Sequence, residues 1–95
     1  MITDALEVPD GTLVECDLCI VGGGMAGLAL AREFRERDVR VVVLEGGGEG
    51  PEADTQSLYE GKAAIDDGAG GTVELGAFLS ESRLRCLGGS GNLWG

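Results

Sequence analysis

The chain has 95 residues, of which 43% are hydrophobic and 25% charged, a balance that is ordinary for one globular domain and excludes wholesale disorder. Its formal net charge of -10 disfavours nucleic acid or an anionic membrane surface as a partner, because both are negatively charged. The sequence contains neither a membrane-spanning apolar run nor a secretory signal, so we expect no membrane span and a cytoplasmic location.

The chain opens with a mixed acidic segment, residues 1–15, in which a Pro-Asp-Gly sequence at residues 9–11 predicts a turn. The next run, Cys16 to Val21, is short and mostly apolar, and glycine follows it directly. This pattern predicts a strand that is buried on both faces, as in a parallel sheet.

The residues from Met25 to Arg37 change to a helical period. Ala26, Leu30 and Phe34 recur at helical spacing, and positions 32, 33, 35, 36 and 37 are charged, which predicts an amphipathic helix of about three turns. Its last turn is basic, as the helix dipole favours, and we expect Asp38 to end it in the left-handed conformation. The arginines of this region alternate with acids, and we interpret them as a solvated helix face.

A second apolar run, Val39 to Leu44, is rich in β-branched valine and predicts another strand. Strand, helix and strand within about 30 residues form a βαβ unit, in which the two strands lie parallel. The sequence therefore predicts an α/β fold.

The second half of the chain gives weaker signals. Ser57 and Glu60 have the spacing of a capping box, which predicts a short helix over residues 55–60. Residues 65–72 have the composition of an exposed loop. A further ordered stretch, Val73 to Leu87, leads into the glycine-rich sequence GGSGNLWG.

The three cysteines do not indicate a metal or redox site. Cys16 and Cys19 have CxxC spacing, but residues three apart on a strand point to opposite faces. The chain has no second CxxC and no histidine to complete a zinc site. We therefore expect no bound metal.

The glycines between the first strand and the helix form the sequence GxGxxG. Gly22 permits a turn that other residues would strain, Gly24 lets a phosphate approach bare backbone, and Gly27 allows the helix to pack closely on the strand. The N–H groups of Gly24, Met25 and Ala26 would then face a diphosphate, with the positive end of the helix dipole behind them.

Glu45 ends the second strand at close to the ~20-residue offset expected of the acid that binds an adenosine ribose. An acid at this position also disfavours NADP, because it would repel the additional phosphate. The alternative is a simple tight turn at residues 22–24 with Glu45 as a solvated strand end. With motif, helix and acid in register, we predict a Rossmann-like βαβ unit that holds an ADP moiety.

The segments VVVLEGGG, DTQSLYEG and SRLRCLGGSGNLWG resemble the N-terminal part of flavoproteins of the glucose-methanol-choline (GMC) oxidoreductase family, particularly its sugar- and polyol-oxidising bacterial members. The likeness covers most of residues 15–95. It implies an FAD-dependent oxidoreductase that oxidises an alcohol or sugar by hydride transfer to flavin N5. It also implies that residues 1–95 are a partial FAD-binding domain, truncated at its C-terminal end. The electron acceptor stays open.

The same resemblance implies roles for residues of the second glycine segment. Gly88 and Gly89 would give close backbone approach to the cofactor, and Ser90 would donate to a phosphate or to the flavin ring. Asn92 would hold the loop or contact the flavin, and Arg85 would support the diphosphate or brace the loop. Trp94 would serve as a packing residue rather than as a stacking partner for substrate.

The sequence departs from the family pattern in three respects, the smallest of which is Asp38 where glycine often ends the first helix. Several members carry a histidine that bonds the flavin covalently where this chain has Leu93, so the resemblance implies a noncovalent flavin. The catalytic residues of the family lie much further along a longer chain, so we expect this segment alone to be inactive. Two alternatives stay open: another flavin or NAD enzyme that shares only the βαβ unit, and a nucleotide-binding module without catalysis.

Overall fold

The computed structural model describes residues 1–94, without the side chain of Trp94, so the predicted role of Trp94 lies outside the described residues. The helices and strands, in chain order, are β1 (Leu18–Val21), α1 (Met25–Glu33), β2 (Val41–Leu44), α2 (Ala53–Gln56), β3 (Ala64–Asp66), β4 (Thr72–Glu74) and α3 (Phe78–Glu81). Short 3₁₀ segments lie at Ala5–Glu7, Ser57–Tyr59 and Gly89–Trp94.

The β1–α1–β2 segment is the predicted βαβ unit. β1 and β2 pair in parallel, with Leu18 opposite Val41 and Val21 opposite Leu44. The Gly22 N–H extends this pairing by donating to the Leu44 carbonyl at 2.7 Å. Parallel pairing joined through a helix confirms the predicted α/β class, with a Rossmann-like unit.

The amino ends of both strands are joined by a polar pair. The Arg40 N–H donates to the Asp17 carboxylate at 2.8 Å, and the Arg40 side chain lies 3.3 Å from the same oxygen. The hydrogen bond from the Arg40 side chain lowers the pKa of Asp17 below its ordinary value. The N–H groups of Asp17 and Leu18 both donate to the Arg40 carbonyl, so regular pairing begins two residues later than predicted, at Leu18 rather than Cys16 and at Val41 rather than Val39.

The helix α1 is shorter than the predicted helix, and the left-handed ending at Asp38 is wrong. The helix ends at Glu33, and the N–H of its C-cap Phe34 donates to the carbonyls of Ala31 and Arg32. No residue other than glycine has a positive φ in the described part of the chain. The physical reason is that packing stabilises helices in proteins, and between Phe34 and Val39 no apolar side chain anchors another turn.

The predicted capping box is also wrong. The helix α2 begins at Ala53 after the N-cap Glu52, so Ser57 lies at its C-terminal end. The Ser57 hydroxyl donates back to the Asp54 carbonyl at 2.7 Å. The predicted short helix over residues 55–60 is present in part, as the end of α2 and the 3₁₀ turn Ser57–Tyr59, but the Ser57 side chain does not cap its start.

The predicted loop at residues 65–72 is the centre of a β-hairpin. β3 and β4 pair antiparallel, with Ile65 opposite Val73. The Asp67 carboxylate organises the turn by accepting from the N–H groups of Ala69 and Gly71. Two features explain why the sequence predicts a loop here. All of these residues are exposed, and each strand has only three residues, which is too short for an alternating apolar pattern.

The buried core of the described residues is small. Ile20 and Cys86 are its buried apolar side chains, whereas Val21 is 83% exposed and Leu44 is 53% exposed. The radius of gyration is 17.2 Å, compared with about 12 Å for a compact domain of this length. One face of the parallel strands is therefore open. None of the helices formed by residues 1–94 is long and apolar enough to cross a membrane.

Candidate functional site

A cleft of about 580 Å³ lies at the carboxyl ends of β1 and β2. In parallel α/β sheets ligands bind at this end, because the loops that connect strands to helices converge there. The residues that carry chemistry in this cleft are Gly22, Gly24, Glu45, Tyr59, Arg85 and Ser90. The loop after β1, the loop after β2 and the segment that precedes the last 3₁₀ turn all contribute to it.

The first glycine segment has the geometry that its sequence predicts. Gly22 has φ +101°, a conformation that side chains of L-residues rarely adopt. A Cβ atom on Gly27 would overlap the carbonyl oxygen of Gly22, so the start of α1 approaches the loop as closely as only glycine allows. A Cβ atom on Gly24, in contrast, would meet no atom within 4 Å. The backbone at Gly24 is therefore open to a ligand.

The helix α1 directs its N-terminus toward the same region. Gly24 is its N-cap, and the Gly24 carbonyl accepts the first helical hydrogen bond, from Leu28, at 2.9 Å. The first N–H groups of a helix have no partner within the helix and carry the positive end of its dipole. Met25 and Ala26 follow directly, but in the described part of the chain they are not among the residues that line the cleft.

The Glu45 carboxylate joins the loops that follow β1 and β2. One oxygen accepts from the Gly23 N–H at 2.7 Å, and the other accepts from the Gly47 N–H at 2.8 Å. An ionised carboxylate offers about four acceptor positions, so each oxygen keeps one for a ligand. Glu45 lines the cleft and is half-buried, which leaves these positions accessible to a hydroxyl group.

The second glycine segment lies directly against the first, although the two are far apart in the sequence. The Gly88 N–H donates to the Gly23 carbonyl at 2.7 Å, and Gly24 and Gly88 form a parallel bridge. A Cβ atom on Gly89 would lie 3.2 Å from the Gly24 Cα, and Gly88 and Gly89 both have positive φ. These contacts bring the two predicted glycine motifs together at one side of the cleft.

Ser90 and Asn92 occupy different positions with respect to the cleft. Ser90 lines it, and its hydroxyl oxygen accepts from the Leu84 N–H at 3.2 Å, while the hydroxyl donates no hydrogen bond within residues 1–94. The Asn92 amide donates to the carbonyls of Leu87 and Gly89 at 3.0 and 3.2 Å. Of the two roles that the resemblance implies for Asn92, these contacts correspond to holding the loop.

Arg85 is the basic residue among those that line the cleft. Its guanidinium carbon lies 5.7 Å from the centroid of the Tyr59 ring, and its Nε is buried without a hydrogen-bond partner among the described residues. Neither of the ion pairs found within residues 1–94 involves Arg85. No acidic side chain of the described residues compensates the charge of this guanidinium, so the charge is available to an anionic ligand.

The sequence did not indicate that Tyr59 and Gln56 belong to this region. Tyr59 lines the cleft, and the Gln56 carbonyl oxygen accepts from the Arg85 N–H at 3.1 Å. Both lie in the segment DTQSLYEG, far from the glycine motifs in sequence, and no local period connects them to Arg85. Only the folded chain brings them together.

The donors in the cleft fit a diphosphate, and the acceptor fits a sugar hydroxyl. Two observations support the fit: the unpartnered Nε of Arg85 and the open space at Gly24. Guanidinium groups and helix N-termini bind phosphate oxygens, and carboxylates accept from ribose hydroxyls. The arrangement can therefore hold a nucleotide by its charged and sugar parts.

Comparison with protein families supports this interpretation. A family model described as an NAD(P)-binding Rossmann-like domain matches residues 20–82, about two thirds of the chain. The match includes the first glycine segment and Glu45, and it ends shortly before Arg85. Neither the curated proteins nor the solved structures gave a match.

Proposed function

The chain belongs to the NAD(P)-binding Rossmann-like domain family and is a dinucleotide-binding module of the oxidoreductase type; from this premise we propose that its dinucleotide is FAD, bound noncovalently. We further propose that the module serves an enzyme that oxidises an alcohol or sugar substrate.

The contact between the two glycine segments carries this proposal. The bridge between Gly24 and Gly88 lies beside the cleft that contains Glu45 and Arg85. In our proposal the diphosphate lies along this contact, where the Gly24 backbone, the start of α1 and the Arg85 guanidinium can bind it. The ribose of the adenosine half then reaches the remaining acceptor positions of Glu45.

The choice of FAD rests on the segment that follows the family match. The sequence SRLRCLGGSGNLWG resembles the second glycine segment of GMC flavoproteins, and in this fold it lies against the first glycine segment. Gly88 and Gly89 would allow the backbone to follow the cofactor, and the Ser90 hydroxyl would donate to a phosphate or to the ring. A noncovalent flavin agrees with a chain that has no histidine.

The proposed activity divides the work between cofactor and protein. A bound flavin would supply the hydride acceptor for oxidation of a carbinol carbon. The residues of this chain hold and orient the dinucleotide: Glu45 fixes one ribose, Arg85 compensates the charge of the diphosphate, and Asn92 keeps the second glycine segment in place. The base that takes the alcohol proton would come from another part of the enzyme.

NAD is the second candidate, because the matching family is described by NAD(P). Glu45 disfavours NADP over NAD, since a carboxylate would repel the phosphate on the ribose. Titration of the purified full-length protein with FAD, NAD and NADP separates the candidates. We expect FAD to bind most tightly and a yellow chromophore to be released by acid precipitation. A colourless protein that binds NAD more tightly than FAD would overturn the FAD assignment.

A further inference from the structure

We propose that Gln56 and Tyr59 are positioning residues that hold the Arg85 guanidinium in the cleft, where it binds the diphosphate of the dinucleotide. This inference rests on the proposed function. The inference gives a role in cofactor binding to a segment outside the βαβ unit, namely α2 and the turn that follows it.

Gln56 holds the backbone of Arg85 and of the segment that precedes it. Its amide nitrogen donates to the Ser80 carbonyl at 2.8 Å and to the Arg83 carbonyl at 2.6 Å. Its amide oxygen accepts from the Arg85 N–H at 3.1 Å, across 29 residues of sequence. All three bonds go to backbone, so one side chain fixes the path of the segment that presents Arg85.

The pattern of donors and acceptors requires an amide at position 56. The nitrogen faces two carbonyl oxygens, and the oxygen faces an N–H group. Glutamate has nearly the same shape, but it would place a charged oxygen against two carbonyl oxygens and lose both donated bonds. The Gln56→Glu substitution therefore removes the function of the amide with little change in volume.

Tyr59 restricts the other end of Arg85. The guanidinium carbon lies 5.7 Å from the ring centroid, within the range of a cation–π interaction. On another side, a Cβ atom on Gly46 would lie 2.6 Å from Nη2 of Arg85, so the guanidinium lies close against bare backbone. The side chain is thus held between an aromatic ring and the loop that follows Glu45.

The side chains that hold Arg85 are neutral, and this distinguishes a residue that is positioned to bind an anion from one that is held in an ion pair. An acidic partner would fix the guanidinium but would also cancel its charge. The chain has 17 Asp and Glu residues, yet the ion pairs of the described residues do not include Arg85. An amide and an aromatic ring fix its position while leaving its charge available to a phosphate, in a protein with a net charge of -10.

The test is a double-mutant cycle on FAD binding in the full-length protein. The Arg85→Gln variant loses a charge-assisted hydrogen bond to the diphosphate. We therefore expect it to bind FAD about 10- to 100-fold more weakly than wild type. We expect Gln56→Glu to weaken it about 5- to 10-fold alone, but less than about 2-fold in the Arg85→Gln background, because its effect acts through Arg85. If Gln56→Glu weakens FAD binding as much in the Arg85→Gln variant as in wild type, the inference is overturned. Such a result would mean that Gln56 supports the structure in general and does not act through Arg85.

Two further readouts keep the result interpretable. Tyr59→Phe keeps the ring and should bind FAD within about 2-fold of wild type, whereas Tyr59→Leu should bind less tightly. The dependence of the FAD dissociation constant on salt should be weaker for Arg85→Gln, which loses the cation, and for Gln56→Glu, in which the guanidinium is no longer held against the diphosphate. A salt dependence equal to that of wild type in both variants counts against the inference.

The outcomes distinguish this inference from the proposed function. If the wild-type protein binds neither FAD nor NAD, the proposed function fails and the inference fails with it. If the wild type binds FAD and Gln56→Glu binds equally well, only the positioning role fails. Circular dichroism of each variant identifies any that do not fold, and the Tyr59 pair then gives the test in place of Gln56→Glu.

Discussion

The Glu45 carboxylate accepts a hydrogen bond from the Gly23 N–H at 2.7 Å, and this bond ties the end of β2 to the middle of the first glycine segment. The acid that the sequence predicts as a ribose ligand thus also shapes the loop that would receive the diphosphate. A bound nucleotide and the glycine loop therefore share one carboxylate, and a change at Glu45 should affect both.

Glu45→Gln tests this double role. Glutamine retains one accepting oxygen, so one of the N–H groups of Gly23 and Gly47 would face an amide NH₂ instead of an acceptor. We expect the free energy of unfolding to fall by about 1–3 kcal/mol, the cost of an unsatisfied polar group, and dinucleotide binding to weaken about 10-fold. Urea denaturation and titration measure the two effects.

The matched control is Glu49→Gln, an exposed acid in the loop that follows. It removes the same charge near the same strand and should leave both quantities close to wild type. Equal effects of the two substitutions would indicate that net charge, rather than the contacts of Glu45, is responsible.

Gly27→Ala tests the close approach of α1 to the loop. An added Cβ would overlap the carbonyl oxygen of Gly22, and backbone cannot move aside as a flexible side chain can. Although alanine favours helix, we expect a net loss of about 1–3 kcal/mol in the free energy of unfolding, the usual cost of overpacking. Gly24→Ala is the comparison, because its Cβ would meet no atom within 4 Å. An increase in stability for Gly27→Ala would contradict the packing described.

Asp17→Asn tests the polar pair at the amino ends of β1 and β2. The side-chain hydrogen bond from Arg40 lowers the pKa of Asp17 in the folded chain. A lowered pKa gives stability that is present above the unfolded value of about 3.9 and is lost as the pH falls through the folded value. We therefore expect a lower urea midpoint than wild type at pH 7, and a difference that shrinks below pH ~4.

Asp38→Asn serves as the control for Asp17→Asn, because Asp38 is exposed and takes part in neither of the ion pairs found in residues 1–94. Its midpoint should follow that of wild type at both pH values. A stability difference for Asp17→Asn that grows toward acid pH would have the wrong sign for a lowered pKa.

The sequence predicts the βαβ unit well because the signals are local. Gly22, Gly24 and Gly27 stand between two apolar runs, and the structure shows the positive φ of Gly22, the close packing at Gly27 and the open space beside Gly24. The end of α1 was less predictable. Charged residues continue to Asp38 without a break in helix propensity, whereas the absence of an apolar anchor after Phe34 matters only in the folded chain.

The remaining features depend on contacts between distant segments. In the hairpin, Ile65 of one strand pairs with Val73 of the other. Each strand has three residues, which is too short for the sequence alone to predict a strand. The bonds from Gln56 to the segment before Arg85 depend on where α2 lies, which no spacing in the sequence encodes. The sequence indicated Arg85 through resemblance, but not the residues that hold it.

Gly24→Val, compared with Gly50→Val, tests the central claim most directly. Both glycines have open space at the Cβ position and neither has a positive φ, so valine fits the backbone at each. If the diphosphate lies against Gly24, Gly24→Val should weaken dinucleotide binding at least about 10-fold, while Gly50→Val binds as wild type does. Equal dinucleotide affinity in Gly24→Val and wild type, with both proteins folded, would contradict the account.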